Sequence, residues 1–148
     1  MPITGVALSL SLMEFAAVRD WTVVVSGSIE YTAGDEEVVI DYEAGSKRKG
    51  MDFFFCEIVV GGEIAGRYTI YHDVYENGTL KESKVIATLH ITDFGSQWFT
   101  QPLPLRIKNG DHIRVTFYHG QNSGRIDASI FGFESNYQEI ISFRNLIR

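Results

Sequence analysis

The stretch LPLRIKNGDHIRVTF, Leu103 to Phe117, indicates the fold class. Apolar residues alternate with other residues on both sides of its centre, and a period of two is typical of a half-buried β-strand. Asn109-Gly110-Asp111 lies between the two runs, where a tight turn needs positive φ and a side chain that bonds nearby backbone. The same residues with His112 could instead form a small ligand or metal site. We favour the turn, with Asp111 as its hydrogen-bond acceptor and His112 opening the outer face of the next strand.

Strand patterns of the same kind fill most of the remaining chain. DFFFCEIVV, at 52–60, is apolar on both faces and is therefore predicted to be a central strand. Turn sequences AGD, GGE, ENGT and GQNSG separate the runs, and Asn77-Gly78 within ENGT is typical of a chain reversal. The other predicted strands are WTVVVSGSIEYT at 21–32, EVVIDYE at 37–43, RYTIYHDVY at 67–75, KVIATLHIT at 84–92, HIRVTFYH at 112–119 and RIDASIFGF at 125–133.

The stretch FGSQWFTQPLP and the two chain ends are less regular. Pro102 and Pro104 restrict the former to a loop or an edge strand. Alternating leucines predict an apolar N-terminal strand or arm at about 3–13, and the tail at about 138–148 could be a short helix or a docking strand. Together these patterns predict one all-β domain over 1–148, an antiparallel β-sandwich of jelly-roll type with eight or nine strands.

Charge and composition exclude several classes of function. The chain has 148 residues and a net charge of −6, which argues against nucleic-acid binding because that depends on neutralising phosphates. Its one dense basic run, Lys47 to Lys49, lies between glycines and is interpreted as a solvated loop tip. The first residues lack a basic region, and Glu14 and Arg19 interrupt the apolar run, so we expect no signal peptide, no transmembrane segment and no membrane partner.

No catalytic, cofactor or metal site is predicted. Cys56 lies in an apolar run, where a small buried hydrophobe is a more economical interpretation than a nucleophile without a base. GDEEVVIDYE lacks the spacing of a helix-loop-helix calcium site, although weak calcium binding stays open. Asn77-Gly78-Thr79 matches a glycosylation acceptor, but without a signal sequence we prefer the interpretation as a turn. The four histidines, which form no same-face pair within a strand, are His72, His90, His112 and His119.

Aromatic residues carry the most functional promise. Aromatic side chains stack on sugar rings and also anchor protein interfaces, while the alternative is that the two sheets bury them. We expect Tyr68 to be exposed as well. The candidate interface or ligand platform consists of Tyr71, Tyr75, Trp98, Phe99, Tyr118, Tyr137 and Phe143.

The last third of the chain carries a resemblance to a known class of proteins. LPLRIKNGDHIRVTFYHG, followed by GRIDASIFGFE, resembles the last hairpins of small, jelly-roll-like β-sandwich virion structural proteins of tailed bacteriophages. The resemblance carries over no functional residue. It implies a structural role in an oligomer, as a capsid decoration protein or a tail or baseplate component, and a location in the virion; without it we expect a cytoplasmic protein.

Two hypotheses follow. In the first, the chain is a non-enzymatic assembly protein whose termini and aromatic faces bind copies of itself, a trimer being expected, or a larger protein lattice. In the second, it is a carbohydrate-binding module. Its platform would use Tyr71, Tyr75, Trp98 and Phe99, with Asp73 or Gln97 bonding sugar hydroxyls.

Overall fold

The computed structural model describes Met13, Ala16, Ala17, residues 19–119 and residues 121–146, with side chains as far as residue 142. The predicted antiparallel β-sandwich is confirmed, with eight strands in two sheets of four. The elements are β1 (Thr22–Tyr31), β2 (Glu37–Glu43), β3 (Asp52–Gly62), β4 (Gly66–Glu76), β5 (Thr79–Ile91), β6 (Ser96–Ile107), β7 (His112–Tyr118), β8 (Gly124–Ser135) and α1 (Tyr137–Leu146).

The strand order is that of a jelly roll. Sheet A has the order β1-β8-β3-β6 and sheet B the order β2-β7-β4-β5, with every pair antiparallel. Among the eight described strands, β4 and β5 are the one consecutive pair that shares a ladder. They meet at the predicted reversal, where Asn77 and Gly78 have φ of 52° and 78°. At each of the remaining connections between consecutive strands, the chain crosses from one sheet to the other.

The stretch from Leu103 to Phe117 forms a turn, as predicted, but not a hairpin. The backbone N–H of Asp111 donates to the carbonyl of Lys108 at 2.8 Å, and Gly110 has a φ of 91°. β6 nevertheless pairs with β3 in sheet A, while β7 lies between β2 and β4 in sheet B. Alternation indicates which face of a strand is buried but not which strand lies beside it, so the pattern fits both arrangements.

The main core lies between the sheets, and a second apolar cluster lies outside sheet A. Phe53, Phe55 and Ile58 of β3 face sheet B. Phe54 and Cys56, on the opposite side of the same strand, belong to the second cluster. The first part of β3 is therefore covered on both faces, and β3 lies between β8 and β6, which confirms the central strand predicted from its sequence.

The position of β6 at an edge of sheet A was also predicted from its sequence. β6 is an edge strand that contains both Pro102 and Pro104, which confirms the edge-strand alternative. The C-terminal tail is helical, and the side-chain oxygen of Asn136 accepts the N–H of Glu139 at 3.0 Å, as an N-terminal helix cap does. Met13, the described residue of the predicted N-terminal arm, is helical, so the strand prediction is wrong at that position. Residues 3–12 of the arm, the last two residues of the tail and the side chain of Phe143 lie outside the described part of the chain.

Candidate interaction surfaces

The predicted aromatic platform is divided between opposite sides of the sandwich. Tyr71, Tyr75 and Tyr118 lie on the outer face of sheet B. Trp98 lies on the outer face of sheet A, opposite Val59 in the register, while Phe99 on the same strand packs against the main core. Tyr137 begins helix α1 and lies beside Arg106. These residues therefore cannot form one continuous platform.

Tyr68 was expected to be exposed, and that prediction is wrong. Its side chain is fully buried, and its hydroxyl donates to the carbonyls of Gly61 at 2.6 Å and Asp127 at 3.1 Å. Tyr68 shares strand parity with Ile70, which is also fully buried. The period of two was the signal for its burial.

On sheet B each of the three exposed-face tyrosines contacts another side chain of the same chain. The guanidinium carbon of Arg114 lies 4.2 Å from the ring centroid of Tyr71. Arg67 lies 5.3 Å from the ring of Tyr118, and the rings of Tyr75 and His112 are 4.4 Å apart. Because a cation or a second ring already lies against each tyrosine, an incoming ligand has to compete for these ring faces.

Asp73, proposed to bond sugar hydroxyls, is buried beneath this layer. Its carboxylate accepts two hydrogen bonds from Arg114, 2.6 Å from Nε and 3.2 Å from Nη2. Burial alone would raise the pKa of Asp73, but hydrogen bonds from Arg114 and Ser83 and the positive charge of Arg114 lower it below its usual value. Asp73 is therefore an ionised structural partner of Arg114, which makes it unsuitable for binding a sugar hydroxyl.

Carboxylates of the N-terminal half extend the same network across sheet B. Glu36 accepts hydrogen bonds from the hydroxyls of Tyr71, at 3.1 Å, and Thr116. Asp41 on β2 lies 2.7 Å from Nδ1 of His112 on β7. The outer face of sheet B is thus a set of mutually bonded polar and aromatic groups.

Asp111 acts across the fold and not as the acceptor that we predicted within its own turn. The residue is buried, and its carboxylate lies 2.9 Å from Nε2 of His72 and accepts the backbone N–H of Tyr75 at 3.1 Å. It therefore fastens the turn after β6 to an irregular point of β4. His112 does lie on the outer face, as predicted.

The strand register separates the histidines. His112 lies opposite Asp73 and Glu43, His90 opposite Arg67, and His72 opposite Lys84 and Ile113. In the described part of the chain, no group of three or more His, Cys, Asp or Glu side chains could hold a metal ion.

The basic run at Lys47 to Lys49 was interpreted as a solvated tip, but the loop is firmly anchored. Glu134 of β8 is fully buried, and its carboxylate accepts the backbone N–H groups of Gly45, Lys47 and Arg48, the last two at 2.7 Å. Glu134 lies on the same face of β8 as three residues of the main core, Ile126, Ala128 and Ile130. A carboxylate at a core position predicts buried partners, and this signal was missed.

Arg48 joins the loop to both ends of the described chain. Its guanidinium donates to the Glu139 carboxylate of α1 at 3.0 and 3.1 Å and to the backbone carbonyl of Glu134 at 2.8 Å. It also lies 4.4 Å from the ring centroid of Trp21. Arg48 is therefore a structural clamp, while Lys47 and Lys49 are exposed, as the interpretation of a solvated tip predicted.

The region beneath this clamp is the second apolar cluster, which we call the terminal cluster. It covers one end of the outer face of sheet A, and the rings of Phe54 and Phe133 stack within it at 5.2 Å. Cys56 is buried there, and burial raises the pKa of its thiol to about 12, so the interpretation as a small buried hydrophobe holds. The cluster consists of Ala16, Phe54, Cys56 and Phe133, with Met13, Trp21 and Ile140 packed against them.

The rest of that face carries an exposed apolar surface, which we call the strip. Trp98 is 68% exposed, Val24 58% and Val59 38%. Val59 pairs with Trp98 on one side and with Ser129 on the other, and Val24 pairs with the half-buried Phe131 of β8. Of these residues, the sequence had drawn attention to Trp98 alone, because a valine within an apolar run does not reveal whether its face of the strand is covered.

Comparison with known proteins gives weak likenesses only. The sequence matches no family model and no curated protein. Among solved structures, PirA is 12% identical, with a TM-score of 0.42, over 74% of this chain and 92% of PirA. A structure of infectious bursal disease virus, Gx strain, is 11% identical, with a TM-score of 0.44, over 78% of this chain and 32% of the viral chain.

A third likeness is to the structure of the cysteine protease and lectin-like domains of Cwp84 from Clostridium difficile. It is 12% identical, with a TM-score of 0.38, over 72% of this chain and 21% of Cwp84. None of these three is a tailed-phage protein, and the likenesses are too distant to support an argument about function. The resemblance to phage virion proteins stays a prediction. Within the described residues no helix has the length and apolar character needed to span a membrane.

Proposed function

We propose that this chain is a non-enzymatic structural protein that assembles with copies of itself and with a larger protein lattice, as a virion component of the capsid-decoration or tail and baseplate type. The observation that carries the proposal is the strip on sheet A. An indole and valines that stay in water on one face of a β-sheet are typical of a protein-binding surface.

The edges of the sheets make face-to-face contact the better route for association than strand addition. The two prolines of β6 discourage a further strand from pairing at that edge, and so do the charged residues of β5, which are Lys81, Glu82 and Lys84. At β1, Lys47 donates to the backbone carbonyl of Thr22. Strand addition at these edges is therefore disfavoured, whereas the strip on the face of sheet A is exposed and can make contact.

The test is absolute mass in solution, by size exclusion with light scattering, over a hundredfold range of concentration. We expect a closed oligomer for the natural chain and a 16.7 kDa monomer for Trp98→Ala. Val85→Ser is the matched control, since Val85 is 60% exposed on sheet B. A natural chain that stays monomeric throughout would contradict the proposal, as would a control that dissociates equally.

A carbohydrate-binding module is the second candidate, favoured by the exposed indole of Trp98. Titration of tryptophan fluorescence with a broad glycan panel tests it, with Trp98→Phe as the comparison. Saturable quenching that is lost in the variant would support this candidate. A flat response across the panel would remove it.

A further inference from the structure

The strip and the terminal cluster occupy neighbouring parts of one sheet face. Phe133, in the cluster, and Ser129, in the row of Val59 and Trp98, lie four residues apart on β8, which is about 13 Å along a strand. Met13 packs against the cluster. The segment that precedes Met13 therefore joins the described chain at the terminal cluster, on the same sheet face as the strip.

That segment has the composition to cover an apolar surface. Residues 1–13 contain no charged side chain, and Leu8, Leu10 and Leu12 alternate with small residues. In an extended chain these leucines project from one side, while Ser9 and Ser11 project from the other. One apolar and one polar side suit a strand that lies flat on a sheet face.

The strip offers a matching surface. Its exposed apolar side chains lie among Ser26, Ser129 and Thr100, while Glu57 lies in the row of Val24, and Asp127, paired with Arg125, lies in the row beyond Val59. An uncharged segment that lies along the rows of Val24 and Val59 leaves the Arg125–Asp127 pair in water and meets one carboxylate, that of Glu57. Burial of the leucine side chains against the strip stabilises such a contact.

The segment that precedes Met13 is long enough to contact the strip of another copy. Twelve extended residues span at most about 40 Å. The distance along sheet A from the cluster to the row of Trp98 is about 13 Å. The segment is thus long enough to leave its own face and extend over that of a neighbour.

We propose that residues 3–12 of one copy lie on the strip of the next copy, against Trp98, Val59 and Val24. This inference rests on the proposed assembly function and names the partner of the strip. When the arm of each copy lies on the strip of a different neighbour, the contact is head-to-tail, and it closes into a ring when the rotation allows. The contact therefore generates a cyclic oligomer, and the expected trimer is its simplest form beyond a dimer.

The experiment uses two full-length variants that each lack one half of the contact. The arm variant combines Leu8→Ser, Leu10→Ser and Leu12→Ser, and the strip variant combines Val59→Ser with Trp98→Ala. We expect each alone to be a monomer by light scattering. Mixed in equal amounts they should form a two-chain species, because the intact arm of the strip variant meets the intact strip of the arm variant.

The controls separate this inference from the proposed function. Circular dichroism and the thermal midpoint report whether each variant is folded, and Val24→Ser replaces the strip variant if that variant is unfolded. If the arm variant keeps the natural mass while the strip variant is monomeric, assembly stands and the arm is not the occupant. If both are monomers but never pair on mixing, the arm acts elsewhere and the inference is wrong. A natural chain that is itself monomeric overturns the assembly function.

Discussion

The outer faces of both sheets carry aromatic residues, but the rings on sheet B pack against other side chains while the indole on sheet A is exposed. On sheet B, the tyrosine rings lie against Arg114, Arg67 and His112, and the carboxylates beneath them are already bonded. On sheet A, Trp98 is 68% exposed among valines and serines. The presence of aromatic residues on a strand therefore does not identify a binding surface. What distinguishes the two faces is whether the fold itself supplies partners for the rings.

The largest expected effect is on stability, from breaking the buried ion pair of sheet B. Asp73→Ala leaves the guanidinium of Arg114 half-buried without its carboxylate, and we expect a loss of about 3 kcal/mol in the free energy of unfolding. Asp127→Ala is the control on sheet A, because the Arg125–Asp127 pair is more than half exposed. That change should cost less than about 0.5 kcal/mol in urea denaturation. Equal losses would mean that the two faces do not differ in this way.

The second effect concerns pH and the same carboxylate. Since the folded pKa of Asp73 is lower than the usual 3.8, its contribution to stability is complete above that value and is lost as pH falls through the folded pKa. We expect Asp73→Asn to lose the stability that this carboxylate contributes near neutral pH and to show a shallower fall of the thermal midpoint below pH 4. An acid limb with the natural slope would show that other carboxylates dominate it.

The smallest expected effect on stability comes from the strip. Val24→Thr keeps a β-branched side chain at a position that is 58% exposed, so the unfolding free energy should change by no more than about 0.5 kcal/mol. Self-association should weaken nevertheless, seen as a lower mass at the dilute end of the concentration series. A large loss of stability with unchanged mass would place Val24 in the fold and not in an interface.

The strands, turns and edges could be predicted from local pattern. Alternation places Ile113 and Val115 on a buried face, and Asn77-Gly78 and the prolines of β6 have local conformational requirements that the sequence displays. The pairing of β6 with β3 could not be predicted. It depends on which of two equally alternating neighbours is more stable, and that is a property of the whole sandwich.

The candidate surfaces were less predictable than the strands. Trp98 was identified by residue type, but its separation from Tyr71 and Tyr75 depends on which sheet each strand joins. The anchoring of the Lys47 loop depends on Glu134, which is 87 residues away along the chain. Long-range partners of this kind leave only an indirect trace in the sequence, such as a carboxylate at a core position.

The position of β8 has a consequence for biosynthesis. β8, the last of the eight described strands in the sequence, lies between β1, the first of them, and β3, in the middle of sheet A. Until residue 135 has left the ribosome, β1 and β3 lack the strand that lies between them, and sheet A is incomplete. Since the strip takes its residues from β1, β3 and β6 and depends on β8 to align them, an unfinished chain does not present the surface. In the proposed assembly, an incomplete subunit would therefore lack the contact surface until β8 is made.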